Sequence, residues 1–144
     1  MHNVGKLNAA IYRNLQSILN SKLKGLSIRG GQYDFLYVIS QREGITQKEL
    51  SEELYVDKST TAKAVKSLVY RGYVVQATHP EDGRYVQLYL TEKGEQIKPL
   101  LVGTFSELIE IATRDLSNEE AEQAVTLLYR ILDNLIQEKT HLNM

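Results

Sequence analysis

The chain has no cysteine among its 144 residues. That excludes disulfides, thiolate metal sites and a cysteine redox switch. Its two methionines are Met1 and Met144, so no internal methionine is available as an oxidation sensor. The three histidines, His2, His79 and His141, are far apart, and neither HxxxH nor HExxH spacing is present for a metal. Only a site assembled from distant carboxylates and histidines stays open. No apolar run is long enough to cross a bilayer, so no membrane partner is expected. Asn8, Arg13 and Asn14 interrupt the stretch where a signal peptide would need its apolar core, which makes the cytoplasm the expected location. Nucleophile–base pairs, phosphate loops and cofactor motifs are also missing, so an enzyme is not expected.

What is present is an uneven charge distribution beneath a formal net charge of −1. Residues 1–29 hold Lys6, Arg13, Lys22, Lys24 and Arg29 and no acid. Residues 95–144 hold nine acids against four bases. The block Thr46–Gly94 is neutral, with seven of each sign, yet from Lys58 to Gly72 it carries Lys58, Lys63, Lys66 and Arg71 and no acid. The basic character is confined to one short segment, and its placement says more than the total.

Apolar spacing and capping signals organise the chain into the order ααααββαα. Val4, Leu7, Ile11, Leu15, Ile18 and Leu19 recur at helical steps up to a stop at Gly25. A second helix spans about Gly31 to Gln41, around Phe35, Leu36, Val38 and Ile39. Thr46-Gln47-Lys48-Glu49 is a capping box that starts a short helix burying Leu50 and Leu54. Asp57 caps the next helix, Lys58 to Arg71, with Gly72 as its stop; Tyr55-Val56-Asp57 is the turn between them. Tyr73–Thr78 and Tyr85–Leu90 alternate as strands around the loop His79-Pro80-Glu81-Asp82-Gly83-Arg84. Thr91 caps a helix towards Thr113 with Pro99 inside it, where a kink is expected. Ser117-Asn118-Glu119-Glu120 opens a last amphipathic helix.

A helix-turn-helix followed by a hairpin reads as a winged-helix DNA-binding unit: a mainly α fold with a small β-hairpin wing. On a helical wheel, Ala62, Val65, Leu68 and Val69, with Thr61 beside them, form the predicted inner face of the second helix. Ser59, Lys63, Lys66 and Tyr70 form the outer face, flanked by Thr60 and Ser67. Small hydroxyl residues near a helix start allow close approach to base edges, and lysines meet phosphates or guanine acceptors. Lys58 opens the same helix, and Gln47 and Lys48 stand at a helix N-terminus suited to phosphate. Arg84 at the hairpin tip suits a narrow minor groove, with Asp82 two residues away to hold its guanidinium. The bland alternative for each is an ordinary solvated surface; their occurrence together, after a capped helix and a short turn, decides for the interface.

The segments Thr46-Gln47-Lys48-Glu49-Leu50, Asp57-Lys58-Ser59-Thr60-Thr61, Leu68-Val69-Tyr70-Arg71-Gly72-Tyr73-Val74, Asp82-Gly83-Arg84 and Leu90-Thr91-Glu92-Lys93-Gly94 stand in an order and spacing that resembles the MarR family of multiple-antibiotic-resistance regulators. The departures are Leu68-Val69, where the family often has Leu-Glu, and the missing N-terminal cysteine that oxidant-sensing members use. The resemblance implies a homodimeric repressor of a pseudopalindromic, double-stranded operator. It implies a dimerisation lobe from residues 1–30 and 95–144, a DNA-binding lobe from residues 31–94, and relief of repression by a small anionic or aromatic ligand.

The wide apolar stripes of the N- and C-terminal helices support dimerisation independently, because a chain of this length has limited means to bury both. For an effector, Tyr12, Arg13, Tyr33, Tyr37 and Arg42 offer aromatic rings and guanidinium groups that suit a phenolic carboxylate, although tyrosines at helical spacing are more often core residues. A winged-helix protein-interaction module and a metal-responsive regulator are the rival functions. If the basic first helix of one copy meets the acidic last helices of another, charge reversal at Glu119, Glu120 and Glu122 will weaken the dimer at low salt, an effect read by sedimentation; an unchanged profile rejects the pairing.

Overall fold

A computed structural model describes residues 3–143; Met1, His2 and Met144 lie outside the described residues. The elements run α1 (Val4–Lys22), a 3-10 turn (Lys24–Leu26), α2 (Gln32–Gln41), β1 (Ile45–Thr46), α3 (Gln47–Leu54), α4 (Lys58–Tyr70), β2 (Val74–Thr78), β3 (Val86–Leu90), α5 (Glu92–Thr113) and α6 (Asn118–Leu142). The six helices and the hairpin follow the expected order. The addition is β1, two residues that pair with β3 through Ile45–Leu88 and Thr46–Gln87, so the sheet is antiparallel with order β1-β3-β2. A two-residue strand has no alternation to reveal it; it forms because Ile45 is buried beside Leu88.

The helix starts are local chemistry. Thr46 accepts from the Glu49 amide at 3.1 Å, and the Glu49 carboxylate accepts from the Thr46 amide at 3.1 Å. Ser117 and Glu120 repeat the pattern at α6. Asp57 accepts from the Thr60 amide at 2.6 Å to start α4. Each such cap is worth about 1 kcal/mol. The carboxyl of Glu49 is held below its ordinary range, chiefly by the Thr46 amide, with the Thr46 hydroxyl and Arg42 adding to it. α5 continues as helix through Pro99.

The chain divides into two compact units, Met1–Ser106 and Glu107–Met144. Within the first, Leu19, Leu36, Ile39, Ile45, Leu50, Val65, Leu68, Leu88 and Leu101 form the core. Tyr33 and Tyr73 are buried and donate to the carbonyls of Leu23 and Leu26, tying α2 and the start of β2 to the 3-10 turn. α3 and α4 are locked by buried hydroxyls: Ser51 donates to Thr61 at 2.7 Å, and Thr61 donates to the Asp57 carbonyl at 3.1 Å.

The end of α4 is fastened to the start of α5. Gly72 takes φ +84 and stops α4. The Thr91 hydroxyl donates to the Gly72 carbonyl at 2.5 Å and accepts from the Gly94 amide at 3.1 Å. Lys93 donates to the Arg71 carbonyl at 2.7 Å and lies over the Tyr73 ring. Gly94 is pressed against the Tyr73 carbonyl so closely that a Cβ there would collide with it and would lie 3.1 Å from the Leu90 Cβ. Gly103, in the same helix, has open space around it. Gly94→Ala will therefore destabilise the protein by roughly 1–3 kcal/mol through forced displacement of backbone. Gly103→Ala will stabilise it by about 0.5–1 kcal/mol. Urea midpoints that move the same way in both variants reject this reading of the junction.

Candidate nucleic-acid interface

The buried stripe of α4 is Thr61, Ala64, Val65 and Leu68, spaced i, i+3, i+4, i+7. This corrects the wheel drawn from sequence. Ala62 and Val69 are exposed, because each lies one residue beyond the stripe and so about 100° around the helix from it. The outward face is Ser59, Ala62, Lys63, Lys66 and Tyr70, with Thr60 exposed beside it and Ser67 half-buried. Among the described residues, Lys58, Lys63 and Lys66 make no ion pair, so their charge is free for a partner. Ala62 is the member of this face that sequence reasoning placed inside.

Gln47 and Lys48, in the first turn of α3, come together with Ser51 and Lys58 around a cleft of about 220 Å³. Two helix starts thus converge, and their unpaired amides and positive dipole ends suit an anion between them. Sequence separation hid this grouping, because Lys58 belongs to a different helix.

At the wing tip, Arg84 makes a two-pronged bond to Asp82: Nε to Oδ1 at 3.0 Å and a terminal nitrogen to Oδ2 at 2.8 Å. The Arg84 amide also donates to Oδ1 at 3.1 Å. Asp82 therefore fixes both the backbone and the guanidinium of Arg84, which projects into solvent with its side chain 84% exposed. These bonds hold the Asp82 carboxyl below the usual carboxylate range and raise the Arg84 guanidinium further. His79 was read from sequence only as a loop residue. Its Nδ1 accepts from the amides of Glu81 and Asp82, both at 3.1 Å, and its ring meets Tyr85 edge-on. A histidine opening a six-residue hairpin loop was the available signal, and a weak one.

The residues expected at an effector site are placed in different surroundings. Tyr33 is a core residue bonded to Leu23, and Tyr37 stacks on Phe105 with ring centres 4.4 Å apart. Arg13 is exposed. Arg42 is occupied by Glu49 at 2.7 Å and Glu53 at 3.0 Å. Tyr12 lines a cavity of about 520 Å³, together with residues of α2, α3 and α4 that include Gln32, Asp34, Phe35, Leu54, Thr60 and Lys63. Among the described residues, no cluster of three or more His, Asp or Glu is placed to hold a metal, and no helix is long and apolar enough to cross a membrane.

With this geometry in view, comparison with known proteins is decisive. A profile described as the MarR family matches residues 24–84. The chain is 34% identical over 125 residues to the uncharacterized HTH-type transcriptional regulator YybA of Bacillus subtilis, covering 87% of this chain and 83% of that one. It is 32% identical to a MarR protein of Peptoclostridium difficile, covering 95% of this chain and 90% of that one at a TM-score of 0.84. The chain belongs to the MarR family. It is a winged-helix, DNA-binding transcriptional regulator and not an enzyme. A MarR family regulator of Listeria monocytogenes, solved in complex with a 26mer DNA, matches at a TM-score of 0.86 and 26% identity, covering 96% of this chain and 92% of that one.

In this MarR-family wing the Asp82–Arg84 bond makes a direct prediction. A depressed carboxyl means that the pairing is fully formed above the ordinary Asp pKa and is lost only as pH falls through the lowered value, so neutral pH leaves it intact. Carbon-detected NMR will show Asp82 titrating below the usual Asp range, and Arg84→Ala will return it towards that range. A normal titration in the parent protein rejects the bond.

Proposed function

We propose that this MarR-family chain is a dimeric, sequence-specific repressor. Each subunit sets α4 in a major groove and Arg84 in the flanking minor groove. The observation that carries this reading is the outward face of α4. Ser59, Thr60, Lys63, Lys66 and Ser67 are small or basic and accessible, and the Ser51–Thr61 bond behind them ties α4 to α3. Ala62 suits a thymine methyl, and the lysines suit phosphates or guanine. Gln47, Lys48 and Lys58, around their shared cleft, suit the backbone phosphate beside the groove. Asp82 serves Arg84 by holding the guanidinium in one pose before DNA arrives.

Dimerisation is supported by apolar surface that each unit leaves in solvent. Val4, Leu7 and Ile11 of α1 are exposed, as are Val125, Leu128, Leu135 and Leu142 of α6. Contiguous apolar stripes of this kind mark association surfaces, and a second copy is the partner that a pseudopalindromic operator requires. Residues 1–30 and 95–144 form the dimerisation lobe in this reading, and residues 31–94 form the DNA-binding lobe. Because Glu120 is committed to the cap of α6, Glu119 and Glu122 carry the informative charge reversals.

Relief of repression is assigned to a small aromatic ligand in the cavity that Tyr12 shares with Thr60 and Lys63. A ligand there touches the same side chains that meet DNA, which couples the two events. The test is footprinting on DNA around the chain's own gene, with and without small aromatic compounds. Half-sites about 10 bp apart, or a small multiple, are expected. Arg84→Ala will weaken binding and reduce the salt slope by about 1 per subunit if it removes a phosphate-neutralising contact. Lys63→Ala will cost roughly 1–3 kcal/mol if the lysine reads a base. Retention of full affinity in both variants rejects the docking geometry, and absence of a steep salt dependence favours a protein-interaction module instead.

A further inference from the structure

The cavity behind α4 carries a half-buried carboxylate and lacks the arginines expected for an anionic effector. The guanidinium groups that suggested a carboxylate ligand are elsewhere: Arg42 is paired to Glu49 and Glu53, and Arg13 is not on the cavity wall. In their place the wall carries Asp34, from the first turn of α2. Its carboxylate is half-buried, and its side-chain partner is the neutral Gln16 amide, which donates to Oδ2 at a long 3.4 Å. Among the described residues it makes no ion pair. Burial raises its pKa, with Gln16 opposing the effect, which is the behaviour of a carboxylate short of a positive partner. Gln32, on the same wall, has a buried Oε1 that receives no donor. The remaining wall is largely apolar and aromatic, through Tyr12, Phe35, Leu54, Val56 and Ala64. Lys63, the cavity's one positive side chain, is exposed and belongs to the outward face of α4.

We infer that the ligand of this cavity is an aromatic cation with an N–H-donating head, such as an amidinium. Its head pairs with the Asp34 carboxylate and its ring packs among Tyr12, Phe35, Leu54 and Val56. A planar amidinium supplies two parallel donors to a carboxylate and a further donor for an acceptor such as the Gln32 carbonyl. A cavity of about 520 Å³ has room for a two-ring molecule. The inference rests on the effector reading above and assigns the charge class that reading left open. Because Thr60 and Lys63 border the same space, the ligand and the operator oppose one another, each lowering the other's affinity by the same factor.

The test uses three probes of nearly equal shape: biphenyl-4-carboxamidine, biphenyl-4-carboxamide and biphenyl-4-carboxylate. Titration calorimetry on the full chain will show the amidine binding at least about tenfold tighter than the carboxylate. Asp34→Asn will remove most of that preference while leaving the amide's affinity unchanged. The amidine will also weaken operator binding in the parent protein, and the variant will need a higher amidine concentration for the same effect. Preference for the carboxylate overturns the inference but leaves an effector cavity standing. Binding of none of the three overturns both. The ranking of the probes on the parent protein is decisive even if Asp34→Asn fails to fold.

Discussion

The DNA-reading unit depends on the satisfaction of a helix end. The last carbonyls of α4 have no partner within the helix, and a recognition helix ending in open solvent would fray and let the wing drift. Here Gly72 stops the helix with a left-handed turn, and the Arg71 and Gly72 carbonyls receive Lys93 and Thr91 from the far side of the hairpin. Gly94 permits the close approach of α5 to the Tyr73 carbonyl. The hairpin between these points is thereby clamped at both of its ends. The position of Arg84 relative to α4 is set by this clamp together with the strand register of β2 and β3.

Labour is divided accordingly between two kinds of residue. Those that make the fold, such as Thr46, Ser51, Asp57, Thr61, Gly72, Thr91 and Gly94, spend their polar groups on the backbone or on each other. Those proposed to meet DNA, such as Ser59, Lys63, Lys66 and Arg84, are exposed and replaceable without disturbing the core. The Leu90-Thr91-Glu92-Lys93-Gly94 segment, part of the family resemblance, is therefore mechanical. It holds the surface proposed to meet DNA, and the outward face of α4 is where that proposal places the specificity.

Helix starts were legible in the sequence because a cap is a contact across three residues. Thr46 and Glu49, Ser117 and Glu120, and Asp57 and Thr60 needed no tertiary information. Asp82 and Arg84 were legible for the same reason. The inner face of α4 was legible at Thr61, Val65 and Leu68 but not at its margins, since Ala62, Ala64 and Val69 have the same character as any buried residue and only the packing partner chooses among them. The surroundings of the aromatic residues were the least legible. Tyr33 and Tyr37 look like ligand-binding aromatics in one dimension, yet Leu23 and Phe105 claim them in three. Asp34 gave no sign of its half-buried place on a cavity wall, because burial is not written in its neighbours.

By itself the sequence determined the local grammar: the caps, the stops, the hairpin, the acid-free helix α4 and the arginine with its carboxylate. These are set by bonds between residues a few positions apart, and such bonds form whatever the rest of the chain does. Tertiary structure decided the pairing of β1, the margins of the buried stripe of α4, the clamp that joins α4 to α5 and the charge inside the cavity. Each of these depends on which surface another element covers, and burial alone turns a polar side chain such as Asp34 into a group that demands a partner.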